Sequence, residues 1–158
     1  MPYDLHDKLV IAISSRALFD LEHENTIYDK DGLEEYTKYQ VQHENEILEK
    51  GTAFSAVKAL LELNSKFNAP IVEVIVISRN SPETGLRVFN SIEKMKLAIS
   101  RAAFTGGENI AKYLSAFNVD LFLSKNEIDD QDSHVKPASE EIPSGRVLYK
   151  SDSKLSEK

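Results

Sequence analysis

Ile71-Val72-Glu73-Val74-Ile75-Val76-Ile77-Ser78-Arg79-Asn80-Ser81-Pro82-Glu83-Thr84-Gly85 is the stretch that decides the fold. Its first half is apolar and mostly β-branched at nearly every position, Glu73 excepted, which suits a strand covered on both faces by helices and so implies a parallel sheet. The strand then stops in hydroxyl, guanidinium and amide groups, and Pro82 suits the first turn of a following helix. In open α/β sheets, ligands sit beyond the carboxyl ends of strands, where loop amides and the positive ends of helices meet an anion. Ser78, Arg79 and Asn80 are therefore candidates for a phosphate or nucleotide site. A second strand, Lys8-Leu9-Val10-Ile11-Ala12-Ile13, ends in the same way in Ser14, Ser15 and Arg16.

Outward from these strands, residues 18–64 read as amphipathic helices interrupted at Asp31-Gly32 and Lys50-Gly51. Leu33, Tyr36, Tyr39 and Gln40 follow a three-to-four spacing, as do Val57, Leu60, Leu61 and Asn64 after Thr52 as the N-cap. Residues 42–50 are too polar for a core and read as a surface excursion. The helix opened by Pro82 places Leu86, Val88, Phe89, Ile92 and Met95 on its apolar side. Arg101-Ala102-Ala103-Phe104 reads as a short strand running into Thr105, Gly106 and Gly107. The glycines either let backbone amides approach a ligand or make a tight turn. A helix through Ile110, Tyr113, Leu114 and Phe117 precedes a fourth strand, Val119-Asp120-Leu121-Phe122-Leu123, which ends in Ser124 and Lys125. Gly145-Arg146-Val147-Leu148-Tyr149 adds an edge strand. The alternation predicts an α/β three-layer sandwich with a mainly parallel sheet and a helical insertion after the first strand. As a domain plan, residues 1–150 form one α/β domain in which residues 18–64 are a cap-like insertion, and residues 151–158 are a polar tail.

Composition narrows the function classes. The 158 residues suffice for one domain with a core, and 41% hydrophobic with 28% charged residues is ordinary for a globular protein. A net charge of −7 argues against a nucleic-acid partner, which would need a basic face. Without cysteine there are no disulfides, thiolate nucleophiles or thiolate metal sites. The first residues have neither a basic start nor an apolar run, and no segment approaches the ~20 apolar residues that span a bilayer. The expectation is a cytoplasmic protein with no membrane contact.

Residues 11–21 (Ile-Ala-Ile-Ser-Ser-Arg-Ala-Leu-Phe-Asp-Leu), 78–89, 90–92 (Asn-Ser-Ile), 101–107 (Arg-Ala-Ala-Phe-Thr-Gly-Gly), Ala116-Phe117 and 121–124 (Leu-Phe-Leu-Ser) resemble the cytosolic 5'-nucleotidase type I family. The resemblance runs from about Leu9 to Asn126. It implies a fold like that of haloacid-dehalogenase-type phosphatases. It also implies hydrolysis of nucleoside 5'-monophosphates such as AMP or IMP to nucleoside and phosphate, with Mg²⁺ and an aspartyl-phosphate intermediate. The chain is similar mainly to the family's amino-terminal half, whereas the family's Asp-x-Asp nucleophile follows a strand of its second half. Lys112 resembles the lysine these phosphatases use to steady the phosphate, or is an exposed helix lysine.

Covalent phosphoryl transfer of that type needs a carboxylate nucleophile at a strand exit, a second carboxylate two residues on, and further acids for the metal. The first exit offers Ser14 and Arg16 instead, and the fourth offers Ser124 and Lys125, whose charge opposes a divalent cation. Glu127, Asp129 and Asp130 either curl back as metal ligands or are solvated. Asp20 lies beyond the first exit and reads as a helix cap. His6, His23, His43 and His134 lack ligand spacing, so no metal residue is assigned. Tyr36, Tyr39 and Phe54 either stack a nucleobase or belong to the core.

The expected site is therefore an anion cradle made of Ser14, Ser15, Arg16, Ser78, Arg79, Asn80, Thr105, Gly106 and Gly107. The alternative is that Arg16 and Arg79 pair with nearby acids while Ser78 caps the helix. Three functions follow: a nucleotidase homologue or one half of such an enzyme, a non-catalytic nucleotide- or phosphate-binding module, and a structural half that self-associates or docks a catalytic half through residues 18–64.

Overall fold

The computed structural model describes residues 4–125 and 142–146. Five strands form one sheet in the order β5-β4-β1-β6-β7, with β1 at Leu9–Ile13, β4 at Val72–Ser78, β5 at Arg101–Phe104, β6 at Leu121–Ser124 and β7 at Ser144–Arg146. Every pairing in it is parallel. All the carboxyl ends therefore lie along one edge, where a ligand site of an open sheet belongs.

Alternation along the central strands separates two cores. Ile11, Ile13, Val72, Val74 and Val76 pack on one face with Leu18, Phe54, Val57, Val88 and Ile92. Val10, Ala12, Ile75 and Ile77 pack on the other with Ile110, Leu114 and Phe122. Helices on both faces explain why β4 has no solvent-facing alternation. Each fully buried side chain of this size contributes about 1.5–3 kcal/mol relative to exposure. The interruption at Glu73 is compensated across the ladder, where Arg101 of β5 pairs with its carboxylate.

Between β1 and β4 the chain forms the one-turn helix α1 (Ser15–Leu18), the long helix α2 (Glu22–Gln42), helix α3 (Phe54–Leu63) and a two-stranded antiparallel ribbon of β2 (Phe19–Asp20) and β3 (Glu49–Lys50). The polar stretch 42–50 is thus only partly an excursion: Leu48 is buried and Glu49-Lys50 pairs with Phe19-Asp20. Gly51 then passes so close to α1 that an added Cβ would lie 2.7 Å from the backbone of Ala17, Leu18 and Phe19. Thr52 does not cap α3. Ala53 occupies the cap position, and no side chain closes it.

The expected break at Asp31-Gly32 is a kink inside α2, with Gly32 at φ 86°. Helix α4 (Pro82–Lys94) begins at Ser81, not Ser78: Ser81 and Thr84 exchange side-chain and backbone hydrogen bonds in a capping box. Its buried face also differs from the apolar count. Leu86 and Phe89 are partly exposed, whereas Arg87 and Ser91 are buried along with Val88 and Ile92. Helix α5 (Ala111–Ala116) leads into β6. The edge strand is β7, one residue earlier than expected, and Val147, Leu148, Tyr149 and the polar tail lie outside the described residues. No helix among the described residues is long and apolar enough to cross a membrane.

Candidate functional site

At the carboxyl edge, Ser14 caps α1, accepting from the Ala17 amide, and its own amide donates to the Leu123 carbonyl of β6. That turn brings Ser15 beside the end of β4, where the Ser15 and Ser78 hydroxyls lie 3.0 Å apart in a buried contact. The exits of β4 and β5 are stitched together by backbone bonds. Thr105, Gly106 and Gly107 donate from their amides to the carbonyls of Ser78, Asn80 and Arg79 respectively. Both glycines have positive φ, so they turn the chain, and their amides are spent on this stitch. Arg79 donates from Nε to the Gly107 carbonyl at 3.0 Å, and the Thr105 hydroxyl bonds the Glu108 carbonyl.

A cavity of about 480 Å³ opens over these exits. Its floor includes Ser14, Ser15 and Arg16, then Ser78, Arg79 and Asn80, with Gly106 and Gly107 at one side. Eight of the nine expected residues thus line one cavity, and Thr105 stands outside it. Helix α2 supplies the opposite wall with Asn25 and Tyr28 before the kink and Leu33, Tyr36 and Thr37 after it. Of these, only Leu33 and Tyr36 stand out in the sequence by their spacing. The usable signal was the spacing of Leu21, Asn25 and Tyr28, whose phase is reset at Gly32. Of the three aromatics considered for base stacking, only Tyr36 reaches the cavity. Tyr39 stacks on His43, and Phe54 is core.

Two of the residues that line this cavity carry a buried nitrogen without a hydrogen-bond partner: Arg16 Nε and Asn80 Nδ2. Both only donate. A buried donor left unpaired costs about 1–3 kcal/mol, a cost that an acceptor oxygen reaching either nitrogen would remove. The rest of the Arg16 guanidinium is held from behind. Glu22, at the start of α2, accepts from Arg16 Nη2 at 3.3 Å and from Lys125 Nζ at 2.9 Å, joining the exits of β1 and β6. Burial pushes the Glu22 carboxyl up, but the Lys125 hydrogen bond and the positive charges of Arg16 and Lys125 outweigh it and hold the group below the ordinary range.

A lowered carboxyl value stabilises the fold above the ordinary glutamate value, and that stabilisation is lost as pH falls through the lowered one. Glu22→Gln should therefore flatten the acid limb of the stability curve between about pH 5 and pH 3, by under about 1 kcal/mol because the Glu22 side chain is 36% exposed and solvent screens it. Urea melts at both pH values check this. An unchanged acid limb would count against the pairing.

The donor set of the described residues does not fit Mg²⁺. Among the described residues no three histidines or carboxylates come together, and Lys125, only 6% exposed, fills the exit of β6 with a cation. Asp20 accepts from the Glu22 amide, but it is not the cap of α2: Leu21 holds that position, without a side-chain cap bond. Lys112 is exposed and pairs with Glu108, away from the cavity. Glu127, Asp129, Asp130 and His134 lie outside the described residues.

Comparison with known proteins adds a family to this geometry. The profile of the family described as 5'-nucleotidase matches residues 1–129, most of the chain. The chain belongs to the 5'-nucleotidase family. This 5'-nucleotidase-family chain is 34% identical over 122 residues to human cytosolic 5'-nucleotidase 1B, covering 73% of its own length and 20% of that protein. It therefore spans about a fifth of the curated relative it matches. No solved structure matches it.

Proposed function

We propose that this chain binds the phosphate of a nucleoside 5'-monophosphate, AMP- or IMP-like, in the cavity at the carboxyl edge of the sheet, and contributes this binding surface to nucleotide dephosphorylation in the cytosol. The observation that carries the reading is the pair of buried, unpartnered donors, Arg16 Nε and Asn80 Nδ2, on residues of one cavity lined from the exits of β1, β4, β5 and β6. Arg16 supplies charge and Asn80 a directed N–H, while the hydroxyls of Ser15 and Ser78 offer adjustable protons. The wall formed by Tyr28, Leu33 and Tyr36 is apolar and aromatic, which suits a nucleoside more than a bare sugar phosphate. Membership of the 5'-nucleotidase family and the likeness to human cytosolic 5'-nucleotidase 1B support the substrate class and the compartment.

Binding and hydrolysis separate in this reading. The exits of β1, β4 and β6 present hydroxyl, guanidinium, amide and ammonium groups where an acyl-phosphate mechanism needs paired carboxylates. Calorimetry with AMP and IMP, run beside a phosphate-release assay with Mg²⁺ on the 158-residue chain, tests this. Saturable binding with background turnover is expected. No heat with any nucleotide would refute the binding, and rapid turnover would place a nucleophile in this chain.

A further inference from the structure

A side chain that can only donate fixes the direction of every hydrogen bond linked to it. Arg87 of α4 is such a group, and it is buried. Its Nη1 donates to Glu24 Oε1 at 2.6 Å and to Gln40 Oε1 at 3.2 Å, both on α2. With its oxygen committed to Arg87, the Gln40 amide turns its nitrogen to the Tyr36 hydroxyl, 3.1 Å away. Burial pushes the Tyr36 hydroxyl up, ahead of the opposing hydrogen bond from Gln40, so the group keeps its single proton. That proton has one recorded acceptor, Asn80 Oδ1 at 3.2 Å. Asn80 Nδ2 is then the far end of the chain, buried at the cavity with nothing to donate to.

We propose that Arg87, Gln40 and Tyr36 are positioning residues that form a one-way hydrogen-bond relay, orienting the Asn80 amide so that its N–H₂ meets a phosphate oxygen. This rests on the phosphate reading above and adds to it how the donor is aimed. Reversal is blocked at the source. Turning the Gln40 amide over would set its N–H₂ against the Arg87 guanidinium, two donors facing each other in a buried site. Turning the Asn80 amide over by itself would leave the Tyr36 proton without its acceptor, and the oxygen then presented to the cavity would repel an anion. Helix α2 thus acts on the ligand through Asn80 as well as by walling the cavity.

The test uses ¹⁵N-labelled protein with inorganic phosphate and AMP as probes. In the wild type, the free protein should show one Asn80 side-chain amide pair, which shifts on adding either probe. In Tyr36→Phe, which keeps the ring and removes the proton, that pair should average or double. Phosphate affinity should fall about 5- to 10-fold, with the protein still folded and its melting temperature lower by roughly 2–12 °C because the Gln40 amide loses its acceptor. Asn80→Asp, which replaces the donor by a carboxylate, should lose at least about 30-fold. Tyr36→Phe that binds phosphate as wild type does, with the same single Asn80 signal, would overturn the relay. If the wild type binds neither probe, the phosphate reading fails and the proposal with it. The free-protein spectra still report whether Tyr36 fixes the amide, so the two failures are distinguishable.

Discussion

Replacing Arg16 by alanine is expected to weaken AMP binding about 10- to 100-fold while the protein stays folded. The estimate follows from a charge-assisted hydrogen bond in a partly desolvated cavity, about 1.5–3 kcal/mol, converted to affinity. Arg16 Nε is buried without a partner, whereas Nη2 is anchored on Glu22, so the guanidinium is held in place with its buried Nε–H unspent. Losing it leaves the Glu22 carboxylate paired with Lys125, so stability should change by no more than about 1 kcal/mol. Calorimetry for affinity and a thermal melt for folding separate the two effects. Unchanged affinity would remove Arg16 from the site, and a collapse of the melt would make it structural.

Arg87→Ala is expected to produce the largest loss of stability of any single change considered, about 3–5 kcal/mol, because it strands a buried carboxylate. Glu24 is 5% exposed and Gln40 is fully buried, and both depend on Arg87 Nη1. The Arg87 Nε bond to the Glu46 carbonyl, 2.9 Å, goes as well, so the connection following α2 loses its tie to α4. Against a total stability of about 5–15 kcal/mol, the variant should melt at least about 10 °C lower. Removing both charges, as in Arg87→Met with Glu24→Leu, should recover most of the loss, since a buried ion pair adds little over a well-packed apolar pair. Denaturant unfolding of the three proteins measures the difference. A single variant within about 1 kcal/mol of wild type would show that the carboxylate is satisfied without Arg87.

The contrast between these two arginines shows what was legible in the sequence. The sheet was, because β1 and β4 must be covered on both faces and their β-branched runs record that requirement directly. The strand exits were also legible, since a polar cluster that ends such a run has few other places to go in a parallel sheet. Ser14, Ser15, Arg16, Ser78 and Asn80 are brought together by that logic.

Helix α2 was legible only as a helix. Its buried residues are Glu24 and Gln40, while Leu33 is 65% exposed and Val41 is exposed too. Hydrophobic spacing puts Tyr36, Tyr39 and Gln40 on the inner face, but it also puts Leu33 there and misses Glu24, because charge and amide pairing help hold the helix to α4. The kink at Gly32 compounds this by resetting the phase between Tyr28 and Leu33. Arg87 was hidden for the same reason, as a cation placed among apolar positions of α4. The glycines after β5 allowed either a ligand contact or a turn. Only the backbone bonds from Gly106 and Gly107 to Asn80 and Arg79 distinguish the two.

Chemical-shift mapping with AMP on the intact chain measures the central claim, that the carboxyl edge of this sheet is an anion cradle. The expected result is a set of saturable shifts confined to the amides of Ser15, Arg16, Ser78, Arg79 and Asn80 and to the α2 residues around Tyr28 and Tyr36, obtained without added Mg²⁺. Shifts centred on another face of the protein, or appearing only once Mg²⁺ is present, would contradict it.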